Sequence, residues 1–166
     1  MNQFLNPRLA GRRLAILLHG GVSSRQGKTG LAFMRYSGAT VVAAIDHETA
    51  GGNFTTLTGI DRAVPIVPSF QAARAYQPDT LLIGIAPSGG ALPAAWVAEL
   101  SEAINAGCSI INGLHAPLAR NPDLTTDLSP GQWIWDLRRE PLGLRIGAGR
   151  ARGLACRRVL TVGTDM

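Results

Sequence analysis

Leu14-Ala15-Ile16-Leu17-Leu18-His19-Gly20-Gly21-Val22-Ser23-Ser24-Arg25-Gln26-Gly27-Lys28-Thr29 runs an apolar strand directly into a glycine- and hydroxyl-rich loop that ends at a helix start. A strand that empties into such a loop is how α/β proteins bring backbone N–H groups and one ammonium against a phosphate or other anion. Lys28 is the only lysine in the 166 residues; every other strong base is arginine. The spacing is not that of a Walker A loop, because Val22 stands where its first glycine belongs and Gly21 comes one residue too early. Gly20, Gly21 and Gly27 also miss the offsets of the dinucleotide fingerprint G-x-G-x-x-G. The expectation is an irregular anion-binding loop in which Gly20, Gly21, Ser23, Ser24, Arg25, Gly27, Lys28 and Thr29 meet the ligand. The alternative is a tight turn followed by a solvated lysine.

Working outward from this stretch, short apolar runs alternate with helical ones. Strands are expected at residues 14–19, 40–45, 64–67, 80–86 and 108–111, with a further short strand at 133–137. Helices are expected at 27–36, at 69–76 with Ser69 as N-cap, and at 93–106 with Pro93 near the first turn and Gly107 at the end. Residues 80–86 (TLLIGIA) read as a strand buried on both faces. Strand-helix alternation of this kind argues for a doubly wound, mostly parallel sheet with helices on both faces.

The composition fits one globular unit: 46% hydrophobic and only 16% charged residues exclude a disordered chain. Cys108 and Cys156 lack paired spacing, so neither a disulfide framework nor a zinc site is expected, and no metal is assigned. A reducing, cytoplasmic setting follows, with neither a signal peptide nor a membrane span. The net charge of +5 raises nucleic acid as a partner. Seven arginines fall between Arg138 and Arg158, and Arg8, Arg12 and Arg13 precede the first strand. No aromatic interleaving or nucleic-acid motif accompanies them, so a solvated rim, or a surface that meets acidic phosphate ligands or another domain, is the better reading.

Ligands of doubly wound sheets bind beyond the carboxyl ends of the strands. That rule selects the Gly20 loop, Asp46-His47-Glu48, Pro87-Ser88-Gly89-Gly90 and Asn112-Gly113-Leu114-His115. Asp46 stands where an acid would accept from a ribose hydroxyl, or else is a turn residue. The Pro87-Ser88-Gly89-Gly90 turn would bring backbone N–H groups close to a ligand, or else is a plain turn into the next helix. His115 is the candidate acid-base group; His19 reads as a packed residue bonding the loop, and His47 as exposed. Asp136-Leu137-Arg138 reads as an internal ion pair at a strand end. After residue 137 an arginine- and glycine-rich linker is expected over 138–158, then a new strand over 159–166.

Arg25-Gln26-Gly27-Lys28-Thr29, Gly84-Ile85-Ala86-Pro87 with Gly89-Gly90, Gly113-Leu114-His115, Asp136-Leu137-Arg138 and Val162-Gly163-Thr164-Asp165 together resemble the N-terminal half of a bacterial and archaeal two-domain family. It was long catalogued as a domain of unknown function, and members are described as D-glutamate N-acetyltransferases. The resemblance runs from about Arg13 to the end of the chain. It implies a Rossmann-like domain over 1–137 followed by a P-loop domain whose first strand is 159–166 and whose own Gly-Lys is not in this sequence. It also implies a cytoplasmic enzyme moving an acetyl group from acetyl-CoA to an acidic D-amino acid, with acetyl-CoA or ATP as cofactor and the C-terminal P-loop domain as partner. On that reading Lys28 and His115 are catalytic, and this half alone is inactive. Residues 79–113 further resemble the CoA-binding Rossmann domains of acyl-CoA synthetases. The competing expectations are a non-catalytic module for a nucleotide, CoA or acidic metabolite, and a homo-oligomeric scaffold.

Overall fold

The computed structural model describes residues 7–87, 92–139, 143 and 149–157. Six strands, β1 (Arg13–Leu17), β2 (Thr40–Ile45), β3 (Ile66–Val67), β4 (Thr80–Ile83), β5 (Ser109–Asn112) and β6 (Ile134–Asp136), form one sheet in the order β3-β2-β1-β4-β5-β6. Every pairing is parallel. This is the Rossmann-like, doubly wound α/β arrangement, with its switch in strand order between β1 and β4.

Alternation along each strand divides the core between the two faces. Leu14, Ile16 and Leu18 join Met34 of α1 (Lys28–Tyr36) and Phe54 of α2 (Phe54–Thr58) on one side. Ala15 and Leu17 join Phe70 of α3 (Phe70–Ala73), Leu100 and Ile104 of α4 (Ala94–Asn105) and Leu124 of α5 (Pro122–Thr125) on the other. Phe54 and Phe70 are both fully buried, each burial being worth about 1.5–3 kcal/mol. Asn53, Ser69 and Asn121 cap α2, α3 and α5 through their side-chain oxygens.

Several expected boundaries move, each for a local reason. The first strand ends at Leu17, not His19, and the fourth at Ile83, not Ala86. At Gly84 the chain gives its N–H to Leu17 and its carbonyl to Gly30, so the ladder stops there. The third strand starts at Ile66, and the fifth runs Ser109–Asn112, one residue later than its apolar run. Residues 69–76 split into α3 and a 3-10 turn, Arg74–Tyr76, closed by Gln77 at φ 51. Arg13 holds that turn by donating to the carbonyls of Gln77 (3.0 Å) and Tyr76 (2.6 Å). Helix one begins at Lys28 because Gly27 closes a preceding 3-10 turn.

The arginines before β1 are not simply a solvated rim. Arg8 and Arg12 lie over the rings of Trp133 and Trp135 at 5.3–5.9 Å, which ties the start of the chain to the β6 edge. Within the expected linker, a 3-10 turn occupies Arg150–Gly153. The strand expected at 159–166 lies outside the described residues. No described helix is long and apolar enough to cross a membrane.

Candidate functional site

The register aligns the carboxyl ends of the strands into one rim: Leu17 lies beside Ile45 and Ile83, Ile83 beside Asn112, and Asn112 beside Asp136. The loops above this rim hold nearly all the polar groups singled out in the sequence.

Above β1, five backbone N–H groups of the glycine loop are taken up within the loop and its strand or by Asp46. Asp46, fully buried, accepts from Gly20 N (2.8 Å), Val22 N (3.3 Å), Glu48 N (3.1 Å) and Thr49 Oγ1 (2.9 Å). Gly21 N–H goes to Leu18, Ser24 N–H to Gly21, and Gln26 N–H to the Ser24 hydroxyl. Gly20 takes φ +68, and a β-carbon on Gly27 would overlap the carbonyl of Gly21. These bonds make Asp46 the organiser of the loop and leave Ser23 and Arg25 exposed at its crest. Lys28 lies with Leu31, Ala32, Arg35 and Tyr36 along the outer face of α1, lining a shallow groove of about 260 Å³. Thr29 faces the other way, towards the position of Gly113.

Also above β1 and β2 is a group that sequence reading dispersed. His19 Nε2 lies 2.7 Å from Glu99 Oε2 of α4, with side chains only 8% and 11% exposed. The other Glu99 oxygen accepts the Phe70 N–H at the start of α3. His19 Nδ1 lies 2.9 Å from His47 Nδ1, and Trp96 flanks the His19 ring. His19 therefore bonds the α4 carboxylate and His47. Separations of 28 and 80 residues gave no motif by which to find this group.

At the far end of the rim, Leu114, His115, Pro117, Arg120, Asp136, Arg138 and Arg139 line a pocket of about 220 Å³. Asp136 is not paired with Arg138. Its Oδ1 accepts from Asn112 Nδ2 (2.8 Å) and Leu118 N (2.9 Å), and its Oδ2 from Ala119 N (3.1 Å). Arg138 instead donates Nε–H to the Gly113 carbonyl at 2.9 Å. The expected ion pair fails because buried backbone donors reach the carboxylate first. The same pocket is also lined by an exposed imidazole and three arginines, a chemistry suited to anions. Pro87 is half-buried at the β4 exit; Gly89 and Gly90 lie outside the described residues.

Residues 47–140, more than half of the chain, match the sequence model of DUF1611_N, a domain of unknown function described as Rossmann-like. The chain belongs to this family. A crystal structure of a DUF1611 family protein from Anabaena variabilis is 53% identical to this DUF1611_N chain, with a TM-score of 0.81 over 89% of this chain and 43% of that one. A protein named D-glutamate N-acetyltransferase from Pseudoalteromonas sp is 36% identical over 87 residues, covering 52% of this chain and 26% of the relative. A second protein of that name, from Tritonibacter scottomollicae, is 33% identical over 99 residues, covering 58% and 29%. The DUF1611_N chain thus spans less than a third of the length of these curated relatives.

Proposed function

We propose that this DUF1611_N domain is the ligand-binding half of an N-acetyltransferase acting on the amino group of an acidic D-amino acid. The observation that carries this reading is the pocket that His115 lines together with Arg120, Arg138 and Arg139. Guanidinium groups suit the paired carboxylates of such an acceptor. The names of the two relatives point to the same substrate class.

In the proposed reaction His115 takes a proton from the acceptor ammonium, and the freed amine attacks the thioester carbonyl of acetyl-CoA. A C–N bond forms, the C–S bond breaks, and the departing thiolate takes up a proton. Lys28 and Arg35, on the outer face of α1, offer two cations for the phosphates of acetyl-CoA or ATP. A P-loop domain in a protein of the relatives' full length is part of the proposal.

The test is acetyl transfer from acetyl-CoA to D-glutamate, L-glutamate and D-alanine by the full-length protein. The expected result is preference for D-glutamate and a kcat/KM reduced at least a hundredfold in His115→Ala, with folding unchanged by circular dichroism. No transfer to any acidic D-amino acid would remove the reading. Saturable D-glutamate binding without turnover would favour a non-catalytic binding module.

A further inference from the structure

We infer that His19 and His47 form a binding site for a divalent transition-metal ion, with Glu99 as the group that orients His19 and Asp46 as the neighbouring charge. The argument starts from proton positions. Glu99 is the acceptor of the Phe70 N–H and lies 2.7 Å from His19 Nε2, so the ring places its N–H on Nε2. That leaves a lone pair on Nδ1. The His47 backbone N–H points at this same Nδ1 from 3.4 Å, as it would towards an acceptor. His19 Nδ1 is thus the acceptor, His47 Nδ1 lies 2.9 Å from it, and an ion bound by both nitrogens would take the place of the proton between them.

A carboxylate bonded to the far nitrogen of an imidazole is the arrangement that fixes the tautomer and raises the basicity of metal-ligating histidines. With metal–nitrogen bonds of about 2.05 Å, two nitrogens 2.9 Å apart subtend about 90° at the ion, an octahedral edge. Separating the rings by about 0.4 Å gives the tetrahedral angle. One ligand atom each from His19, Asp46 and His47 lies within 4.8 Å of the others. Asp46 already accepts four hydrogen bonds, so its contribution is negative charge beside the ion, and direct ligation would displace loop donors. His47 is exposed, which leaves further coordination positions facing solvent. Two imidazole ligands beside a negative charge select zinc, cobalt or nickel over magnesium or calcium. The site stands at the carboxyl ends of β1 and β2, independent of the pocket around His115.

The test uses this chain after dialysis against a chelator, in a Cys156→Ser background because that thiol is exposed. Calorimetric titration with Zn²⁺ is expected to give one ion per chain, and Co²⁺ to give visible d–d absorption; Mg²⁺ should give neither. His47→Ala, at an exposed position, should weaken Zn²⁺ binding at least tenfold, and Glu99→Gln about 10–100-fold. His115→Ala, altering the third histidine, should bind as the parent does. Absence of one-to-one Zn²⁺ binding, or unchanged affinity in His47→Ala, would overturn the proposal and leave the two rings as a hydrogen-bonded pair.

Discussion

Gly30 of α1 donates its backbone N–H to the carbonyl of Gly84, 2.7 Å away, at the point where strand order reverses between β1 and β4. A β-carbon on Gly30 would lie 2.7 Å from Leu18 Cδ2 and 3.0 Å from the Gly84 Cα. Gly30→Ala is therefore expected to push α1 off the sheet and destabilise the fold by about 1–3 kcal/mol. Urea unfolding followed by circular dichroism measures this, and an unchanged midpoint would show that the helix shifts without cost.

Asp136 holds the loop after β5 by accepting from Leu118 N, Ala119 N and Asn112 Nδ2. Asp136→Ala orphans those buried donors and should cost more than about 2 kcal/mol. Asp136→Asn keeps the shape and one acceptor oxygen, so it should recover part of the loss. Equal midpoints for the two variants would mean that water replaces the carboxylate.

The two thiols differ in reach and in proton affinity. Cys108 is buried with Sγ 3.3 Å from the Pro78 carbonyl, and burial, reinforced by Asp79, pushes its pKa up to about 11 from 9.0. Native protein should be alkylated at Cys156 and not at Cys108, as read by peptide mass spectrometry. Because the unfolded thiol loses its proton first, this group's contribution is complete below about pH 9 and declines as pH rises towards 11. The alkaline fall in the urea midpoint should be shallower in Cys108→Ala, and identical slopes would count against the account.

For the arginine pocket, Arg120→Ala is expected to raise the KM for D-glutamate at least tenfold in the full-length protein while leaving the KM for acetyl-CoA unchanged. A matching rise in both constants would move the acceptor site elsewhere.

The legible parts of the fold were those set by local pattern. The run at residues 40–45 became β2 without adjustment, and Ser69 caps α3, because a short β-branched and small apolar run and capping chemistry act over a few residues. The short helices α2 and α5 went unread, since four or five residues carry too little periodicity to show. Strand ends were overextended wherever a glycine turned an apolar run out of the ladder, as at Gly84. In the candidate site, strand-end logic placed Asp46 and His115 on the carboxyl-end rim, because their positions depend only on where strands stop; it read Asp136 as an ion-pair partner and missed its bonds to the loop after β5. It could not find the bond from His19 to Glu99, because α4, which packs against α3 and β5, brings Glu99 to the end of β1 from far along the chain. Nor could spacing show that Lys28 lines a groove with Leu31, Arg35 and Tyr36 of α1.

Placing β1 in the middle of the sheet also constrains synthesis. Its pairing with β2 needs only residue 45 to have left the ribosome, whereas its other edge has no partner until Thr80–Ile83 emerges. At roughly 5–20 residues per second that interval lasts roughly 2–7 s. During it the nascent chain carries an apolar strand with one open edge, the state most vulnerable to intermolecular pairing. The domain's hardest moment thus comes before the chain has been finished.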